Sequence, residues 1–190
     1  TLSIFLNKKR KAVAAYNAKS HAILFLPSKI PGSYETVHPL LLRNETTKAF
    51  IKGLGITKPS LKDDIYNKIL PKYTGDKVYG RKTRFKRLMQ YYQECSGQEL
   101  KTFLEEIRGK KILLYFTTAG EGEGLAEPNT VYFPDKTTKR WFETKPGTKF
   151  VLWDEYVRIA GRQQKEMLRN FLRALGVEST PRVLTRELTK

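Results

Sequence analysis

Apolar residues fall into two kinds of pattern along this chain: short continuous runs, and stripes that recur every three to four positions. Runs of the first kind predict strands, and stripes of the second kind predict helices. Residues 11–16 (Lys-Ala-Val-Ala-Ala-Tyr) read as a short strand, and 21–26 (His-Ala-Ile-Leu-Phe-Leu) as a stronger one closed by Pro27-Ser28. Pro31-Gly32-Ser33 is turn material. Pro39-Leu40-Leu41-Leu42 leads to Asn44, whose side chain suits a helix N-cap. That helix runs through Thr47, Phe50 and Ile51 and stops at Gly53 and Gly55, because glycine tolerates the left-handed backbone found after helix ends. Ser60 caps a helix over 61–69, with Leu61, Ile65, Ile69 and Leu70 on helical spacing and Pro71 and Gly75 ending it.

The middle of the chain reads as helical. A helix over 82–95 places Phe85, Leu88, Met89 and Tyr92 on one face. Ser96-Gly97-Gln98-Glu99 has capping-box spacing and opens a further helix with Leu100, Phe103, Leu104 and Ile107 as its buried stripe, ended by Gly109. The β-branched and aromatic run 112–117 predicts a strand. A Gly/Glu loop follows at 120–124, then a strand over 130–133 closed by Pro134-Asp135, then a short strand at 150–153. Asp154 is expected to cap a helix reaching about residue 175, with Gly161 as its candidate break and Gly176 as its stop. The tail beyond Glu178 is polar and is expected to be loosely held.

Two motifs recur in the same order. Phe50-Ile51-Lys52-Gly53-Leu54-Gly55-Ile56 matches Phe171-Leu172-Arg173-Ala174-Leu175-Gly176-Val177 in type, and a proline follows each, at Pro59 and Pro181. Ala22-Ile23-Leu24-Phe25-Leu26-Pro27-Ser28-Lys29 matches Asn129-Thr130-Val131-Tyr132-Phe133-Pro134-Asp135-Lys136, each an apolar strand closed by Pro-x-Lys. The expected fold is therefore α+β: two β-hairpin-plus-helix repeat units, 1–61 and 110–183, flank a central helical segment, 62–109, with a loose tail at 184–190. A hairpin of this size cannot bury its face alone, so each should pack on its own helix or on the middle helices.

Composition sharpens this. Among 190 residues, 36 Lys and Arg against 19 Asp and Glu leave a net charge of +17, which favours polyanionic partners and opposes self-association. The basic residues form blocks at Lys8-Lys9-Arg10-Lys11 and at Arg81-Lys82-Thr83-Arg84-Phe85-Lys86-Arg87. One cysteine, Cys95, excludes an internal disulfide framework, and two histidines leave little for a metal centre. No cofactor is expected. No apolar run approaches the ~20 residues needed to cross a bilayer, neither block sits on an apolar amphipathic face, and no membrane partner is expected. The start, Thr1-Leu2-Ser3-Ile4-Phe5, lacks Met and a signal-peptide pattern, so we read a piece of a longer intracellular chain.

Several constellations could carry chemistry. Lys82, Arg84, Lys86 and Arg87 interleave with Phe85, Tyr91 and Tyr92, a mixture able to neutralise phosphates and stack bases. Arg158, Arg162, Lys165, Arg169 and Arg173 would fall within about 80° of arc on one continuous helix, the placement needed to lie along a phosphate backbone. Trp141 beside Arg140 is the stacking candidate. Asp135, Glu143 and Lys145 resemble the Pro-Asp…Glu-x-Lys pattern of Mg²⁺-dependent nucleases, but Pro27-Ser28 occupies the equivalent place in the first repeat, so a strand-closing turn explains the Pro-Asp. The Gly/Glu loop is followed by a strand and carries two glutamates, which suits a hairpin loop better than a phosphate cradle.

Segments 25–28, 34–41, 50–56, 65–73, 131–134 and 171–177 together resemble the region that follows the ATPase domain in large sacsin-like proteins. The resemblance covers roughly 11–180. Those proteins carry an ATPase of the superfamily shared by gyrase, histidine kinases and the ninety-kilodalton heat-shock chaperone. Its Glu-x-x-x-Asn helix, Asp-x-Gly-x-Gly motif and glycine-rich lid are missing from this sequence, so no catalytic residue carries over. The resemblance implies a non-catalytic relay or scaffold within a multidomain protein. From its charge, the basic surface is expected to contact DNA or RNA with weak sequence selectivity, or an acidic protein surface such as the parent ATPase domain. A purely structural inter-domain linker is the plainer alternative.

Overall fold

A computed structural model of the chain describes residues 3–18, 20–28, 34–73, 80–118 and 124–182. The fold is α+β, with small sheets and several helices. The chain divides into two compact units, Thr1–Pro71 and Lys72–Lys190. The helical stretch 62–109 is split between them.

In the first unit, β1 (Phe5–Leu6) and β2 (Ala12–Val13) form an antiparallel hairpin. Its turn is the basic block Lys8–Lys11. Arg10 adopts φ 59°, and the Asn7 side chain accepts from the backbone N–H groups of Lys9 (3.0 Å) and Lys11 (2.8 Å). The first strand thus precedes the run expected at 11–16, and the first basic block closes the hairpin. Residues 15–17 and 21–23 meet through a single antiparallel bridge, Tyr16–Ala22. β3 (Leu24–Phe25) and β4 (Glu35–Thr36) are parallel. Helix α1 (Glu45–Gly53) starts where Asn44 accepts from the Thr47 N–H, 3.1 Å, as its sequence position predicts. Helix α2 (Leu61–Asp64) opens on a capping box between Ser60 and Asp63 and widens into a π-helical turn, Ile65–Ile69. Phe5, Ala15, Leu24, Val37, Ile51 and Ile56 form the core between sheet and α1.

In the second unit, α3 (Arg81–Glu94) and α4 (Gly97–Arg108) precede a three-stranded antiparallel sheet in the order β6-β5-β7, formed by β5 (Leu113–Thr117), β6 (Gly124–Ala126) and β7 (Lys149–Val151). Helix α5 (Lys136–Trp141) lies between β6 and β7 in sequence; α6 (Trp153–Ala160) and α7 (Lys165–Ala174) follow. Phe85 of α3 packs on Tyr156 (centroids 4.5 Å) and Phe171 (5.8 Å). Three local readings are corrected. Ser96 makes no side-chain cap, and the Glu99 carboxylate, the other half of the expected capping box, accepts from the Tyr91 hydroxyl (2.8 Å). Asp154 lies inside α6, whose cap position is Leu152. The strand expected at 130–133 is a 3-10 turn, Pro128–Thr130, followed by Tyr132, which bridges in parallel to Phe150 and Glu178. The 120–123 part of the Gly/Glu loop, Gly75 and the tail at 184–190 lie outside the described residues.

The two units share one pairing scheme. Asn7 opposes Val37 as Tyr115 opposes Val151. The His38 N–H donates to Leu6 O (2.8 Å) as that of Leu152 does to Leu114 O (3.0 Å). The Val37 N–H donates to Phe25 O (3.0 Å) as that of Val151 does to Tyr132 O (2.9 Å). Both helices then end alike. Gly55 (φ 77°) donates to Lys52 O and Ile56 to Ile51 O; Gly176 (φ 101°) donates to Arg173 O and Val177 to Leu172 O. The chain leaving each helix returns to the sheet, where Thr57 O accepts from the Leu26 N–H and Glu178 O from the Phe133 N–H, both at 2.8 Å.

This ending makes Gly55 demanding. A Cβ there would lie 2.7 Å from the Tyr16 hydroxyl oxygen, which donates to Leu54 O at 2.7 Å and cannot retreat without breaking that bond. A Cβ on Gly53 would meet nothing within 4 Å. In urea titrations we expect Gly55→Ala to destabilise the fold by about 1–2 kcal/mol, and Gly53→Ala to be neutral or to stabilise by up to ~1 kcal/mol.

Two buried tyrosines set the alkaline limit. The Tyr156 hydroxyl accepts from the Leu114 N–H (2.8 Å) and donates to Ile112 O (3.2 Å), tying α6 to β5; burial pushes its pKa far up. Burial also raises Tyr73 to about 12, against the opposing charges of Arg84 and Arg81. Its hydroxyl has no hydrogen-bond partner among the described residues. A raised folded-state pKa keeps the proton on longer than in the unfolded chain, so stability is full below pH ~10 and falls as pH rises toward 12. The urea midpoint should drop over that window, and Tyr73→Phe should flatten part of the drop with little change at pH 7.

Candidate polyanion-binding surface

The basic residues expected to act together are placed in separate environments. Gly161, at φ 96°, breaks the chain between α6 and α7, so the Arg158–Arg173 stripe does not lie on one continuous helix. Arg158 pairs with Glu155 at 2.6 Å, and Lys82 of α3 reaches the same carboxylate at 3.6 Å. Arg162, Lys165 and Arg173 are exposed. Arg169 turns inward. Its guanidinium donates to Asp135 Oδ2 at 2.6 Å and lies 4.8 Å from the Phe133 ring centroid and 5.9 Å from that of Trp153. On α3, Lys86 is exposed, whereas Arg84 and Arg87 are half-buried and Phe85 is fully buried. The interleaved aromatic of that block is therefore core.

Asp135, the first member of the nuclease-like pattern, spends its carboxylate on Arg169. Glu143 and Lys145 are exposed, and the Lys145 carbonyl accepts from the Thr118 hydroxyl (3.0 Å). Among the described residues, no group of three or more His, Cys, Asp or Glu is placed to hold a metal ion. Two further arginines that sequence patterns do not distinguish serve the fold. Arg108 donates twice to Ala174 O at the end of α7 (2.8 and 3.2 Å), and Arg182 donates to Gly176 O (2.8 Å) while stacking 4.7 Å from the Tyr132 ring.

A different cluster forms around α5. Thr138 is fully buried, with its hydroxyl donating to Ser179 O, and Phe142 four residues on packs against Tyr132 (4.7 Å) and Phe150 (6.3 Å). These two anchors turn the remaining face outward, and it carries Lys136, Lys139, Arg140 and Trp141. Trp141 is 65 % exposed. Lys139 Nζ lies 5.4 Å over the Phe116 ring and Lys149 Nζ 4.8 Å over that of Tyr115. An open groove of about 410 Å³ runs beside the helix, lined by Phe116, Thr117, Thr118, Lys139, Arg140, Glu143 and Phe150. A second open hollow, of about 440 Å³, is lined by Thr137, Arg140 and Trp141 and shares Arg140 with the groove. The arrangement offers cations for phosphate oxygens and an indole face for a base. The adjacency of Arg140 and Trp141 signals it in the sequence; the outward turn of Lys136 and Lys139 becomes visible only once α5 is seen to be a helix.

Comparison of the chain with protein-family models, with curated proteins and with solved structures finds no significant match. No helix among the described residues is long and apolar enough to cross a membrane.

The internal use of Arg169 is testable. Arg169→Ala removes an ion pair and two ring contacts and should lower stability by about 1–3 kcal/mol, while Arg173→Ala, on the exposed side of the same helix, should change it by less than ~0.5 kcal/mol. Equal effects in urea unfolding would contradict the assignment.

Proposed function

We propose that this chain is a non-catalytic interaction module of a large sacsin-like ATPase and that its α5 surface binds a polyanion, with single-stranded nucleic acid as the best-fitting class. The observation that carries the reading is the exposed Trp141 set among Lys136, Lys139 and Arg140. A solvated surface patch has no need of an indole, whereas a nucleic-acid strand uses both the cations and the ring. The net charge of +17 supports the same reading by drawing polyanions to the whole molecule. An acidic protein surface, such as that of the parent ATPase domain, is the second reading, favoured by the open groove beside α5, where Lys139 and Arg140 stand next to the apolar Phe116 and Phe150.

Fluorescence anisotropy with a labelled single-stranded DNA tests this. Binding should weaken with salt at a log–log slope of about −0.7 for each phosphate neutralised. Lys139→Glu with Arg140→Glu should flatten that slope by ~1.4 and weaken binding by about tenfold or more. Trp141→Ala should weaken it by about 1–3 kcal/mol with the slope unchanged. No binding at low salt, or binding indifferent to all three residues, would overturn the nucleic-acid reading.

A further inference from the structure

The shared pairing scheme makes the helices α1 and α7 counterparts, residue 50 matching 171 and residue 54 matching 175. Their surroundings differ on one face. Phe171 and Leu175 are fully buried, and α3 is the cover: the Phe171 ring meets Phe85 at 5.8 Å and Tyr92 at 4.9 Å. Those two residues are seven apart, two turns of one helix, with Leu88 and Met89 buried between them. On α1 the matching Phe50 and Leu54 are 57 % and 40 % exposed, and Leu40, on the 3-10 turn that packs against α1, is 50 % exposed. Ile51 and Ile56, which face the sheet, are as buried as Leu172 and Val177. The inner half of α1 is thus complete, and the outer half keeps the apolar residues that α7 uses to hold a helix.

We infer that the Phe50–Leu54 face of α1 docks an amphipathic helix of an acidic partner protein, seated as α3 is seated on α7. The apolar stripe of that helix follows i, i+3, i+4, i+7 with a large ring at each end, as in Phe85, Leu88, Met89 and Tyr92. Its flanks are acidic because residues 43–58 carry Arg43, Lys48, Lys52 and Lys58 against one acid, Glu45, which pairs with Lys48 at 3.0 Å, so that the segment keeps an excess of positive charge. The same charge, with +17 on the whole chain, disfavours a second copy as occupant. The face belongs to the first unit and the α5 surface to the second, so this inference stands independently of the polyanion reading.

The probe is a synthetic peptide of the Arg81–Glu94 sequence with every Lys and Arg replaced by Glu, titrated into the full chain and followed by backbone amide chemical shifts. We expect saturable shifts confined to residues 39–58, with Phe50→Ser and Leu54→Ser each weakening binding by about tenfold and leaving DNA binding unchanged. A peptide with Ser in place of its Phe and second Tyr should not bind. Absence of shifts up to millimolar peptide, or shifts centred elsewhere, would overturn the inference. So would sedimentation showing a dimer of this chain that Phe50→Ser dissolves, because the face would then belong to a second copy.

Discussion

The backbone bond that returns the chain to the sheet after each helix carries both units: Leu26 to Thr57 in one, Phe133 to Glu178 in the other. The strands of the first unit are two residues long, and strands that short do not hold themselves together in water. They persist because the polypeptide is fastened to them again from the far side of a helix. That fastening needs a sharp, reproducible exit from the helix, which a left-handed glycine supplies at Gly55 and again at Gly176. Once the exit is set, the apolar residues before and after it, Ile51 with Ile56 and Leu172 with Val177, are buried against the strands. The helix is then located over the sheet, and the core follows from its location.

The same framework decides which positive charges are available. Lysines and arginines in a linear sequence look alike, but the fold gives them different work. Arg169 is held by Asp135 and two rings, Arg182 by Tyr132, Glu178 and the Gly176 carbonyl, and Arg108 by the last carbonyl of α7. Arg suits the first two places because its planar fork satisfies an acceptor while its face lies on an aromatic ring, and at Arg108 two N–H groups of the fork reach one carbonyl. Helix α5 differs because its inward anchors are Thr138 and Phe142, which are not charged, so its cations face solvent beside Trp141.

Much of the helical framework was legible in the sequence because helix ends are local. Asn44 and Ser60 cap as their positions predict, and Gly55 and Gly176 stop their helices for a reason contained in a few residues. Features decided by distant partners were not legible. Glu99 abandons a capping box for the Tyr91 hydroxyl, which arrives from the neighbouring helix. Phe5–Leu6 is too short to stand out as a strand, and its hairpin hides behind four basic residues whose turn geometry depends on one Asn7 side chain. The stripe from Arg158 to Arg173 required both an unbroken helix and outward-facing side chains; Gly161 removed the first and Asp135 the second. The candidate site was legible only at Arg140 and Trp141, because the exposure of Lys136 and Lys139 is fixed by what Thr138 and Phe142 reach inside.

The central claim is that two copies of one pairing scheme are each closed by the segment that returns to the sheet after the helix. Amide hydrogen exchange at Leu26 and Phe133 tests it most directly. If the returning segment carries each unit, both amides exchange only with global opening of their unit, as slowly as the most protected amides of α1 and α7. Rapid exchange at either position, while its helix stays protected, would contradict the account.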